Sequence, residues 1–123
     1  ALDSLKSPFF ALYNGTAGKW LAFGKPLTAK KWYHIAGVYD GSKMNMYVDG
    51  ILQQPTINNS YSGNITNSGG VRDTTIGAGA IGGGLKYFSG LIDEVQIYNS
   101  ALTAIEIKEI YAQGAKKFNL AVK

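Results

Sequence analysis

Trp32 to Gly50 reads WYHIAGVYDGSKMNMYVDG, two strand patterns separated by one turn and closed by another. From Trp32 to Tyr39 the run is rich in aromatic and β-branched residues and contains no proline, and Asp40-Gly41 then supplies the left-handed backbone that a tight hairpin requires. From Lys43 the chain alternates. Met44, Met46 and Val48 point one way, and Lys43, Asn45, Tyr47 and Asp49 the other, until Asp49-Gly50 turns it again. The Met face is expected to be core and the other face wet. The first strand is apolar on both parities, which suits a central strand covered on both sides and leaves its core face open.

Outward from this hairpin, Pro8 precedes FFALYN, a strand expected over Phe9 to Tyr13 and closed by Asn14-Gly15. Lys19 to Gly24, with Trp20, Leu21 and Phe23 as its large residues, forms the second arm of that hairpin and stops before Pro26. On the other side, Gln53 to Asp73 is a long irregular stretch dominated by Asn, Ser and Gly, a length that is often functional or mobile. Thr74 to Gly77 reads as a short strand, GAGAIGGG as a flexible connection, and Tyr87 to Tyr98 as the last long strand with Val95 and Ile97 on one face.

One helix is expected, near Ala104 to Gln113. Thr103 and Glu106 have the spacing of a capping box, Leu102 and Ile107 that of a hydrophobic staple, and Gly114 stands where a helix terminator belongs. Beyond it, residues 115–123 are an edge strand or a tail, with the alternation of Phe118, Leu120 and Val122 favouring the strand.

Composition narrows the class. Sixteen glycines, three prolines and 16% charged residues in 123 describe one all-β domain with many tight turns. Without cysteine there is no disulfide framework, thiolate metal site or Cys nucleophile. The net charge is +4, but the twelve Lys and Arg are scattered, so no stripe for a phosphate backbone forms and nucleic acid is not an expected partner. No apolar run approaches the ~20 residues of a membrane-spanning helix, so no membrane insertion is expected.

The WYHIAGVYDGSKMNMYVDG run, TTIGAG downstream of it, and FSGLIDEVQIYNSALTAIEIKEIY after that resemble the C-terminal two thirds of a laminin G-like domain of the concanavalin A-like lectin/glucanase fold. The resemblance covers Phe9 to Gly114 and implies a two-sheet antiparallel jelly-roll sandwich with one short C-terminal helix. Because members usually begin with several earlier strands, it also implies a sandwich incomplete at its N-terminus. The missing strands would come from a parent chain or from a neighbouring subunit. The family further implies an extracellular or cell-surface location and a non-catalytic recognition or adhesion role toward glycan or protein ligands. Two alternatives stand beside it: a structural domain of a bacterial surface or pilin-like filament protein, and a remnant of a polysaccharide-degrading enzyme.

The residues themselves bear on these roles. Of eight carboxylates, Asp93-Glu94 is the only adjacent pair, and on a strand the two point to opposite faces, where they cannot flank one glycosidic bond. His34 is the only histidine and has no Ser or Cys at a recognisable motif spacing, so it is read as a strand residue hydrogen-bonded to a neighbour. The resemblance implies a structural calcium site at Asp93, set against a plain hydrogen-bonding role for that carboxylate. For sugar, an exposed aromatic plane beside Asn- or Gly-rich loops is the expected device, and Trp20, Tyr61 and Tyr87 meet that description.

Overall fold

The computed structural model describes residues 7–22, 26–55, 58–66, 74–81 and 84–118. Its strands are all antiparallel, and one helix follows them. Strands β1 (Phe9–Tyr13) and β2 (Gly18–Ala22) form a hairpin, and β3 (Ile35–Tyr39), β4 (Met44–Val48) and β5 (Ile51–Leu52) form a three-stranded sheet in that order. A second hairpin joins β6 (Ala78–Ile81) to β7 (Gly84–Tyr87), and α1 spans Ala104–Lys117.

The core lies between the first hairpin and the three-stranded sheet. Leu21, Met44 and Met46 are fully buried there, with Phe10, Leu12, Tyr39 and Tyr61 packed around them. The register pairs Gly37 with Met46 and Tyr39 with Met44, so the Gly37–Tyr39 parity of β3 is the face turned to the core. Glycine is needed at position 37 because the ring of Phe10 lies on its backbone, about where a Cβ would sit 3.0 Å from Cγ. Tyr47, expected on a wet face, is 8% exposed, so the second face of β4 is covered as well.

The first expected strand is shorter than its apolar run. The amide of His34 donates to Asp49 Oδ1 at 2.9 Å while its carbonyl accepts from the amide of Asp49 at 2.9 Å, so the following turn closes the ladder at Ile35. Trp32 instead stacks on Phe118, with ring centroids 4.6 Å apart. The second arm of the first hairpin stops at Ala22 in the described residues, and Phe23 and Gly24 lie outside them.

Between Thr74 and Tyr98 the expected order is corrected. Thr74 to Gly77 is not a strand: Thr75 Oγ1 donates to the carbonyl of Ala78 and Gly77 takes a left-handed φ of 75°, which breaks the run before β6 begins. The glycine-rich stretch expected as a flexible connection is instead the β6–β7 hairpin. Glycine serves packing there, since a Cβ on Gly79 would collide with the ring of Phe9. Of the last long strand expected from Tyr87 to Tyr98, Tyr87 ends β7, while residues 88–98 have no strand partner among the described residues and Glu94 in their middle takes φ 53°.

The helix starts as its sequence signals require. The amide of Glu106 donates to Thr103 Oγ1 at 3.2 Å and Glu106 Oε2 accepts from the amide of Thr103 at 2.7 Å, a complete capping box. It then runs through Gly114 to Lys117, with Phe118 as the C-cap, so Gly114 is interior and residues 115–117 are helical rather than an edge strand. Lys116 and Lys117 in the last turn complement the helix dipole and favour the extension. Residues 119–123 lie outside the described residues. Ile107, Tyr111 and Ala115 form the buried face, and Tyr111 and Lys108 close over Gly50, which has φ 73° and leaves a Cβ only 3.2 Å from Tyr111. Among the described residues no helix is long and apolar enough to cross a membrane.

Candidate functional site

Strand alternation separates the candidate aromatic residues. On β2, Leu21 faces the core with no exposure, so Trp20 must face the opposite way and is 50% exposed. Its cross-strand partner is Ala11, a side chain too small to cover the indole.

Tyr61 lies on the Leu21 side of the same strand, half-buried against the core, with its ring edge-on to Tyr39 at 5.8 Å. Its hydroxyl donates to the carbonyl of Ala17 at 2.6 Å. Burial pushes its phenol above the ordinary value, and the neighbouring Tyr39 adds to this. Tyr87, at the end of β7, is 73% exposed. Trp20 and Tyr61 are therefore on opposite faces of β2, and no ring contact joins any two of the three aromatics among the described residues.

What Tyr61 does instead is part of a scaffold with no local signature. Residues 58–66 are laid along the first hairpin by polar contacts that cross long stretches of sequence. Asn14 Nδ2 donates to the carbonyl of Ser62, Lys19 Nζ to that of Ser60, Tyr39 Oη to that of Gly63, and the amide of Thr66 to the carbonyl of Tyr13. Asn59 adds bonds to the carbonyl of Met44 and to Asn45 Oδ1. Asn14-Gly15 announced a turn, and Asn14 Oδ1 does accept from the amides of Thr16 and Ala17. Its reach to Ser62 depends on a fold that only the assembled chain defines.

Asp93 does not stand in a cage of oxygens. Its Oδ1 accepts from the amide of Glu94 at 2.8 Å, and its Oδ2 lies 3.9 Å from Lys117 Nζ, which also pairs with Glu94 Oε1. A lysine ammonium occupies the place where a cation would balance these carboxylates, and the described residues contain no group of three acidic, His or Cys side chains able to hold a metal. This donor set does not fit calcium. It ties the last helical turn to residues 93–94.

His34 is held through its backbone rather than its ring. Nδ1 is buried and finds no hydrogen-bond partner, and the ring lies tilted 6.0 Å from that of Tyr111. Burial moves its pKa below the ordinary histidine value, with Asp49 opposing the shift. The neutral imidazole fills space beneath the helix.

Comparison with curated proteins found no match. Among solved structures, the chain is similar to the crystal structure of an S-layer domain-containing protein (residues 221–444) from Clostridium thermocellum ATCC 27405, with 27% identity and a TM-score of 0.57. The match covers 84% of this chain and 50% of that one, so this chain spans about half the length of that structure. Residues 1–108 match the laminin G-like sequence family described as the Concanavalin A-like lectin/glucanases superfamily, whose fold is a β-sandwich jelly roll. Over that length of a 123-residue chain the match is decisive: the protein belongs to the laminin G-like family of the concanavalin A-like lectin/glucanases superfamily.

Proposed function

We propose that this domain is a non-catalytic recognition module of an extracellular or cell-surface protein and that it binds glycan. The observation that carries the proposal is the half-exposed indole of Trp20 on the outer face of the first hairpin, opposite a fully buried Leu21. A flat apolar ring presented beside a small neighbour such as Ala11 suits the apolar face of a pyranose. Tyr87 offers a second exposed ring on a separate hairpin. Tyr61 packs on the core side of β2, away from the exposed face of Trp20.

The lack of a catalytic assignment rests on chemistry. Asp93 and Glu94, the adjacent carboxylates, share one lysine, and an acid paired to an ammonium is a poor proton donor. The similarity to an S-layer domain-containing protein supports the surface location and favours a second reading, a structural domain of a bacterial surface layer or filament.

A glycan array probed with and without calcium separates the readings. Under the proposal, Trp20→Ala lowers glycan binding by about tenfold or more, while Tyr61→Phe, which keeps the ring, leaves it unchanged. Calcium then has no effect. Absence of binding to any glycan would favour the structural reading, and release of reducing sugar from any polysaccharide would restore the enzyme.

A further inference from the structure

Asn14 is the only asparagine of the chain that is followed by glycine. The pair is chemically labile, because Gly15 has no Cβ to keep its backbone nitrogen away from the side-chain carbon of the residue before it. Gly15 is exposed and takes φ 89°, so water reaches the pair at the tip of the first hairpin.

The fold holds the Asn14 side chain by bonds from two directions. Oδ1 accepts from the amides of Thr16 at 3.1 Å and Ala17 at 2.9 Å, and Nδ2 donates at 2.8 Å to the carbonyl of Ser62, 48 positions away. The segment that supplies Ser62 is pressed onto the turn. A Cβ on Gly63 would lie 3.4 Å from Asn14 Nδ2, one on Gly15 would lie 3.3 Å from Thr66 Oγ1, and the amide of Thr66 donates to the carbonyl of Tyr13 at 2.9 Å. Attack by the Gly15 nitrogen on Asn14 Cγ requires the side-chain amide to turn its face to that nitrogen. The rotation gives up the bonds to Thr16, Ala17 and Ser62.

We infer that Asn14 is a site of self-modification by deamidation, restrained by residues 62–66 and releasing them once it occurs. In the step itself the Gly15 nitrogen passes its proton to water and bonds to Asn14 Cγ, while the Cγ–Nδ2 bond breaks and Nδ2 leaves as ammonia. Water then opens the cyclic imide at one carbonyl or the other, giving aspartate or the isomer whose backbone runs through the side chain. One water is consumed and one ammonia is released, so the step draws on no oxidant, reductant or further co-reactant.

The products explain why the release runs one way. Either of them lacks the Nδ2 donor and turns a carboxylate oxygen toward the carbonyl of Ser62, acceptor against acceptor. The isomer also lengthens the backbone between Tyr13 and Gly15, beside the bond from Thr66. Residues 62–66 therefore act as a latch that protects the bond whose conversion unfastens it.

The test incubates the 123-residue chain in mildly alkaline buffer and follows Asn14 by peptide mass mapping, where conversion adds about one mass unit. Conversion should be about tenfold or more slower in the folded chain than in the chain unfolded in urea. Tyr39→Phe removes the hydroxyl that donates to the carbonyl of Gly63; it should speed conversion several-fold in the folded chain and leave the unfolded rate unchanged. Asn14→Asp supplies a product directly and should speed amide exchange at Thr66 by about tenfold or more, with β4 unchanged. Should that variant fail to fold, wild-type chain aged to partial conversion and separated by chromatography gives the same comparison. No conversion in either state, or conversion in the folded chain as fast as in urea, overturns the inference. So does a Tyr39→Phe rate equal to that of the wild type, or exchange at Thr66 that the product leaves unchanged.

Discussion

Met44 to Val48 and Glu94 to Ile97 are written in the same alphabet, alternating apolar and polar residues with a carboxylate close by, yet their fates are opposite. Met44 and Met46 are 0% and 2% exposed, whereas Val95 and Ile97 are 54% and 79% exposed. The difference is in the neighbours. β4 has β3 on one side, β5 on the other and the first hairpin over its Met face, while residues 91–98 have no strand beside them among the described residues. Alternation makes a segment competent to be a strand; burial needs a second segment.

The widest gap should appear on truncation. Met46→Ala should cost about 2–5 kcal/mol in urea unfolding of the isolated chain, and Ile97→Ala should stay within about 0.5 kcal/mol. Equal losses would mean that 91–98 is packed in solution, and the contrast between the two regions would collapse.

Gly79→Ala probes the join between the β6–β7 hairpin and the first one, because a Cβ there meets the ring of Phe9. Overpacking of this kind should cost about 1–3 kcal/mol in thermal or urea unfolding. A neutral result would show that the β6–β7 hairpin is free of the first one.

A smaller effect comes from His34. Its folded pKa lies below the unfolded value because burial disfavours the charged ring. The unfolded chain therefore binds the proton more readily. The contribution is present above the unfolded value of about 6.5 and is lost as the pH falls through the folded one. Denaturation midpoints measured from about pH 8 to about pH 5 should fall at the acid end, and His34→Phe should flatten that part of the profile. A profile unchanged by the substitution would mean that the ring is hydrated and the helix is loosely seated.

The smallest effect expected is a gain. Gly114 is interior to α1 and a Cβ on it meets nothing within 4 Å. Gly114→Ala should stabilise the chain by about 0.5–1 kcal/mol, since glycine is disfavoured inside a helix. Destabilisation would restore Gly114 to a terminating position and shorten the helix.

Much of the fold was legible wherever the signal is local. Asp40-Gly41 and Asp49-Gly50 are turns with left-handed glycines, and the Thr103–Glu106 box forms with the hydrogen bonds its spacing implies. The end of the helix is not legible locally, because Gly114 looks like a stop, and the lysines that favour the helix past it act through its dipole. GAGAIGGG reads as a linker because composition records the freedom of glycine and not the ring of Phe9 that requires it at Gly79. Among the candidate site residues, Trp20 and Tyr87 could be named from aromatic type and adjacent loops, but the inward setting of Tyr61 could not, because its partners Ala17 and Tyr39 lie 44 and 22 positions away in the chain.

Local sequence is enough to set the strand-competent segments, most of the tight turns, the start of the helix and the all-β class. Each follows from backbone preferences and side-chain periods acting within a few residues. The tertiary structure alone decided which face of β3 is core, that Trp20 is outward and Tyr61 inward, and that Asp93 and Glu94 are bound by Lys117. It also decided that 91–98 has no strand beside it among the described residues. Burial, ion pairing and strand pairing are properties of two surfaces at once, and a single stretch of sequence carries only one of them.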